Sequence, residues 1–259
     1  MRHIVLKTSF IARKLDLLSA TGWIWIVLFS VFGAGGCRHT PAAPNNLIPI
    51  KSYYYPIHKL DGGMMFVYKY KNDRMPEFYY HLKTQKLQDS LYLKVTELRG
   101  DFSVEQRITE QIFPSGSKII DYQMMDLDSS GQEYMANLEI LSGDTYPFYV
   151  EKNGGVYIFQ AKWFFPNNPE FKYTLIRNRR YAGDTTFVFK GQKTPAIKMS
   201  AKELIVTESE GYQELEFNKT EIYAKGLGLV SSKTIVSDSF SLEYQLVDTF
   251  SGSLLPAME

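Results

Sequence analysis

Apolar residues in this chain recur at every second position in short runs, and the runs end in clusters of Gly, Pro, Asn, Asp or Ser. That spacing sends side chains alternately to the two faces of an extended backbone, and it constrains the fold more than any other feature. Residues 65–70 open the series, 72–76 carry a turn signal, and 77–83 read as the return strand. Further strands are predicted at 91–98, 102–112, 118–126, 133–141, 156–165, 171–180, 185–189, 196–207, 212–217, 222–225, 229–236 and 240–248. Between them stand breakers such as Asp128-Ser129-Ser130-Gly131, Pro166-Asn167-Asn168-Pro169 and Tyr181-Ala182-Gly183-Asp184. About a dozen strands separated by short turns predict an all-β domain of mainly antiparallel neighbours. No long stretch follows the i, i+3, i+4, i+7 spacing of a helix, although a short helix stays open at 86–90 or at the C-terminus.

The N-terminus has a different character. Arg2, Lys7, Arg13 and Lys14 precede a largely apolar stretch over residues 17–36, which ends in Gly33, Ala34, Gly35 and Gly36. A basic segment, an apolar segment and small residues make an export signal. The single cysteine of the 259-residue chain, Cys37, follows directly. An uncleaved membrane anchor and a plain secretory peptide cut elsewhere also fit this pattern. The run Ala34-Gly35-Gly36-Cys37 resembles a bacterial lipobox, departing from it at Ala34, where a branched aliphatic residue is usual. The resemblance implies cleavage before Cys37 and a lipid on that residue. It divides the chain into a signal over 1–36, a lipidated cysteine and tether over 37–52, and one β-rich domain over 53–259. Arg38 stands where Asp would favour the inner membrane, so the implied address is the outer membrane, periplasmic face, with the lipid as the membrane contact.

With one cysteine there is no intramolecular disulfide, and the domain must be held by its own core. Hydrophobic residues at 44% and a formal charge of +1 exclude a disordered chain and leave no electrostatic footprint for nucleic acid. Chemistry is sparse. His39, His58 and His81 have no companions at metal-ligand spacing, and they read as surface or strand-end residues. No Gly-x-Ser-x-Gly elbow occurs, and Gly226-Leu227-Gly228 lacks the remaining features of a phosphate loop. Residues Asp126 to Gly131 start like a calcium loop, but Asn137 stands where a bidentate Glu is needed, which leaves a hairpin turn. Arg177-Asn178-Arg179-Arg180, with Lys172, reads as a solvated strand end, the alternative being a phosphate or anionic-lipid contact. No catalytic residue, metal or cofactor is therefore expected. A hydrolase using acids such as Glu97, Glu105, Asp121 and Glu139 ranks last, because nothing in the sequence pairs them.

Tyr223-Ala224-Lys225-Gly226-Leu227-Gly228-Leu229-Val230 resembles a motif near the C-terminus of uncharacterised bacterial envelope lipoproteins, which also open on an aromatic Tyr-Pro segment like Tyr55-Pro56. Such proteins look like the lipoprotein-carrier class, and the resemblance implies a large curved antiparallel sheet forming a half-open barrel. Read from the residues alone, Gly226 and Gly228 leave one side of a strand bare and mark a sharp bend. A two-layer β-sandwich is the alternative. Tyr53-Tyr54-Tyr55, Phe78-Tyr79-Tyr80 and Trp163-Phe164-Phe165 put rings on both faces of their strands, so either a second layer or an apolar ligand or partner must cover one face. Tyr68, Trp163, Phe165, Tyr223, Gly226 and Gly228 are the candidate ligand or bend positions, beside Cys37 for lipidation. The expected function is a non-enzymatic envelope lipoprotein that binds an apolar ligand, such as an acyl chain, or a protein partner. The alternative is a structural component of an envelope complex with a filled interior.

Overall fold

The computed structural model describes residues 47–254 except 73, 129, 153, 166 and 167, together with all their side chains but those of 165, 168 and 169. The export signal, Cys37 and residues 38–46 lie outside the described residues. Fifteen strands follow in order: β1 (Leu47–Pro49), β2 (Met64–Tyr70), β3 (Phe78–Leu87), β4 (Ser90–Leu98), β5 (Val104–Phe113), β6 (Gly116–Leu127), β7 (Glu133–Asn137), β8 (Glu139–Pro147), β9 (Tyr149–Glu151), β10 (Tyr157–Phe165), β11 (Asn168–Phe189), β12 (Gln192–Glu208), β13 (Tyr212–Ala224), β14 (Gly228–Ser237) and β15 (Phe240–Ser251). Two single-turn 3-10 helices, Lys51–Tyr53 and Ile57–Lys59, lie between β1 and β2.

Thirteen strands form one antiparallel sheet, in the order β5-β4-β3-β2-β15-β14-β13-β12-β11-β10-β8-β6-β7. The large curved sheet expected from the sequence is present, and among the described residues no sandwich of two large sheets forms. Its ends also meet, because β6 pairs back onto β5 from Gln106↔Met124 to Phe113↔Gly116. The closing seam between β6 and β8 is short: Gly116↔Pro147, Ser117↔Tyr146 and Lys118↔Asp144. The half-open barrel is thus drawn into a ring. Backbones approach so closely at the seam that a Cβ on Gly116 would lie 2.5 Å from the Tyr146 carbonyl oxygen, which explains a glycine there. β1 and β9 pair separately, Ile48 opposite Val150.

Several strands are longer than predicted. The turn expected at 181–184 is a bulge inside β11, with Gly183 at φ +107° and a register shift between Tyr181 and Asp184. Residues 212–217 and 222–225 belong to one strand, β13. The helix left open at 86–90 is the turn between β3 and β4, with Gln88 at φ +52°. The stretch read as a bent strand at Tyr223–Val230 is instead the hairpin turn from β13 to β14, where Gly226 and Gly228 take φ of +74° and +84°.

The interior is packed in two clusters. In the first, Ile50, Tyr54, Tyr55 and Leu60, from the segment before β2, pack against Phe66, Tyr68, Leu82, Leu93, Met199 and Val230 on the strands. Residues 47–52, assigned by sequence to the tether, therefore begin the folded body. The second cluster gathers Ile119, Tyr122, Phe159, Ala161, Trp163 and Leu175. The β13–β14 turn holds the inserted segment through Gly226 N–H to the Ser52 carbonyl at 2.9 Å. Gly228 lies directly under the Tyr55 ring, which any side chain there would strike.

Candidate functional site

Alternation along three neighbouring strands builds the chemistry of the interior. Register sets Phe159, Arg177, Glu203 and Phe217 in one row across β10 to β13, then Arg179, Ala201 and Lys219, then Met199 and Glu221. Neighbouring members of these rows share a face, and Phe159, Met199 and Ala201 are core residues, so the five ionisable side chains point inward. They form a connected array. Arg177 Nε meets Glu203 Oε1 at 2.6 Å, Lys219 Nζ lies 3.4 Å from both Glu203 Oε1 and Glu221 Oε1, and Arg179 Nη2 meets Glu221 Oε2 at 2.9 Å. Tyr223 donates to Glu221 Oε2 at 3.1 Å, and Arg179 Nη1 donates to the Thr145 carbonyl. Burial alone would raise both carboxyls, but Arg177 for Glu203 and Arg179 for Glu221, each helped by Lys219, overcome it and hold them at about 2.

Across the interior, β4, β5 and β6 supply Glu97, Gln106, Glu110 and Tyr122. Tyr122 donates to Gln106 Oε1 at 2.6 Å, and Gln106 Nε2 donates to Glu97. Tyr54, from the inserted segment, donates to Glu110 Oε2 at 2.5 Å. Burial is the largest influence on both acids. It pushes Glu110 up and lifts Glu97 to about 7, because the hydrogen bonds to them and the charges of Arg179 and Lys219 offset it only in part. Between the two sides is a cavity of about 140 Å³, lined by Tyr54, Tyr55, Tyr80, Tyr122, Tyr146, Tyr223 and Tyr244 together with Gln106, Glu110, Arg177, Arg179, Lys219 and Glu221. Aromatic faces and hydrogen-bonding groups of both kinds thus converge on one space, as in small-molecule sites.

That barrel is a known architecture. The chain is similar in structure to a candidate lipoprotein from Parabacteroides distasonis, at 12% identity and a TM-score of 0.51, over 76% of this chain and 98% of that one. A candidate exported protein from Bacteroides fragilis with a YmcC-like fold gives 10% identity and 0.45, over 73% and 95% of the two chains. The hypothetical lipoprotein YmcC from Escherichia coli gives 10% and 0.31, over 77% and 90%. The first of these likenesses shows a shared fold. No protein-family model matches the chain, and no curated protein matches its sequence.

The residues singled out from sequence do not assemble into one apolar site. Tyr223 lines the cavity. Tyr68 is buried in the first cluster and donates to the Leu229 carbonyl at 2.7 Å. Trp163 stacks on Tyr173 in the second cluster, centroids 5.0 Å apart, with its Nε1 3.0 Å from Asp126 Oδ2. Gly226 and Gly228 serve the hairpin turn, while Cys37 and the Phe165 side chain lie outside the described residues. Arg177 and Arg179 correct the solvated strand end, since β11 continues past them and turns both inward, whereas Lys172 pairs with Glu208 at 2.7 Å. His81 is buried inside β3, its Nε2 3.0 Å from the Gly252 carbonyl oxygen, which corrects its reading as a surface or strand-end residue. Asp128 Oδ1 accepts from Ser130 and Gln132 N–H, the bonding of a turn. The acids of the hydrolase reading are dispersed, Glu105 to Arg99 and Glu139 to Lys162, with Asp121 exposed. The signal that would have exposed the array is positional. Tyr173-x-Leu175-x-Arg177-x-Arg179 and Phe217-x-Lys219-x-Glu221-x-Tyr223 each carry charges on the same parity as core residues.

Proposed function

We propose that this chain is a non-enzymatic binding protein of the bacterial cell envelope, anchored by a lipid on Cys37 and holding a small polar ligand inside its barrel. The observation that carries the reading is the charged, tyrosine-lined cavity of about 140 Å³ on the inner face of the sheet. The lipobox-like run ending at Cys37 supports the anchor, and the fold shared with a candidate lipoprotein from Parabacteroides distasonis supports the envelope address. Arg38 favours the periplasmic face of the outer membrane. A polar occupant replaces the acyl chain expected from the aromatic triplets. Charged and hydroxyl groups of Glu110, Arg179, Lys219, Glu221 and the tyrosines line the space, and an alkyl chain there would offer them no hydrogen-bonding partner.

Mass spectrometry of full-length protein extracted from the membrane tests both parts. Denatured protein is expected to carry a diacyl or triacyl adduct on Cys37, and native spectra a further small molecule released on unfolding. An unmodified N-terminus contradicts the anchor, and a bound fatty acid contradicts the polar cavity.

A further inference from the structure

We propose that residues 212–217 of β13 form a docking edge, which accepts as an added strand an extended segment of a partner protein whose basic and apolar residues alternate. β13 pairs with β12 over its whole length, from Glu208↔Tyr212 to Ala196↔Ala224. With β14 it pairs only from Asn218↔Ile235 to Ala224↔Gly228. Both strands continue past Asn218 and Ile235, β13 to Tyr212 and β14 to Ser237, but they part there. The register between β14 and β15 shifts between Ile235 and Ser237, and a bulged strand bends. Among the described residues, no strand pairs with the second edge of 212–217. Residues 212–216 are all exposed, Tyr212 at 66% and Leu215 at 51%. Alternate residues of such an edge turn their N–H and C=O groups outward, a template for another strand. Proteins ordinarily blunt such edges with proline, lysine or a bulge. Tyr212-Gln213-Glu214-Leu215-Glu216-Phe217 has no proline or lysine, and its register with β12 runs without a bulge.

Charge selects the occupant. Residues 208–217 carry Glu208, Glu210, Glu214 and Glu216 and no Lys or Arg. Neighbouring strands offset part of this, Lys172 meeting Glu208 and Lys202 meeting Glu216, each at 2.7 Å, while Glu214 accepts from the Tyr212 hydroxyl at 2.8 Å. A second copy is unsuited to the edge. Two such strands run antiparallel about Glu214, Leu215 or Glu216 set glutamate opposite glutamate, and like charges directly opposite destabilise a pair. The same charges repel an anionic membrane surface. Alternation puts Glu214 and Glu216 on one face of the edge and Leu215 and Phe217 on the other. A strand bearing Lys or Arg beside the glutamates and apolar side chains beside Leu215 and Phe217 matches both faces. In strand addition of this kind, backbone hydrogen bonds supply affinity and the alternating side chains supply choice.

Fluorescence anisotropy of full-length, detergent-extracted protein with two labelled hexapeptides, (Lys-Val)3 and (Glu-Val)3, tests this. The lysine peptide is expected to bind about tenfold or more tightly than the glutamate peptide, and the double variant Glu214→Lys, Glu216→Lys to reverse the preference. Methylated peptides separate strand addition from adsorption of charge in the unmodified protein, because only alternate N–H groups of a paired strand face its neighbour. Lysine peptides N-methylated on the Lys residues and on the Val residues are expected to differ in affinity by about tenfold. Equal binding of those two, equal binding of the lysine and glutamate peptides, or binding of neither overturns the proposal. Native spectra of a dimer that binds neither peptide give the edge to a second copy and overturn it as well. All of these outcomes leave the reading of the cavity as it stands.

Discussion

Arg177 and Arg179 sit in a dense basic run, and basic runs are ordinarily solvated. What turns them inward is the uninterrupted course of β11, together with a neighbouring strand that offers Glu203 and, one strand further, Glu221. Such an array stabilises by being complete. Removing one partner leaves a buried charge, so Glu221→Gln is expected to cost about 3–5 kcal/mol, read from the urea midpoint. The acids also set the pH dependence. Glu203 and Glu221 are held at about 2 in the folded protein against an ordinary 4.5. Their contribution is therefore full above pH 4.5 and is lost as pH falls toward 2. Glu97 works in the opposite sense. Raised to about 7, it binds its proton more tightly when folded, so its contribution fades between pH 4.5 and 7. Thermal melts across pH 2–8 are expected to peak near pH 4.5–5, and Glu97→Gln to reduce the decline toward pH 7, with Glu110, also raised by burial, supplying the rest. A decline unchanged in that variant contradicts the assignment.

Strands were readable as elements, but their limits were not. β2 was evident in its run of apolar residues, and its span in the structure, Met64–Tyr70, includes residues 65–70 as predicted. The sequence divides β13 in two, because Asn218-Lys219-Thr220-Glu221 is polar throughout and polarity between apolar runs ordinarily means a turn. In this barrel the polar run continues the strand, since Lys219 and Glu221 find buried partners. The same argument explains β11, where Ala182-Gly183 reads as a turn and forms a bulge. Gly226 and Gly228 were recognised as architectural, but their task is to shape a hairpin that receives Tyr55. Gly228→Ala meets both a positive φ and the Tyr55 ring, and it is expected to cost about 2–4 kcal/mol. Gly183→Ala, with a positive φ and open space around it, is expected to cost about 1 kcal/mol. Equal urea midpoints for the two variants contradict the role assigned to Tyr55.

At the scale of the whole molecule, the sequence pointed to one curved antiparallel sheet but not to its closure. Closure depends on three residue pairs between β6 and β8 and on glycines that let the two backbones approach, and no periodicity announces either. The aromatic triplets pointed to a covered inner face. The cover is the chain's own segment bearing Ile50, Tyr54, Tyr55 and Leu60, and it is joined there by ion pairs that turn the remaining space polar. A sheet that curls around the segment bearing Ile50, Tyr54, Tyr55 and Leu60 and keeps a charged pocket beside it suits the proposed role of a container. A high-resolution crystal structure of protein extracted from the membrane tests it most directly. The account predicts ordered non-protein density in the cavity lined by Tyr54, Tyr146, Tyr223 and Glu110. Density for an alkyl chain, or Arg179 and Glu221 turned outward from a collapsed interior, would contradict it.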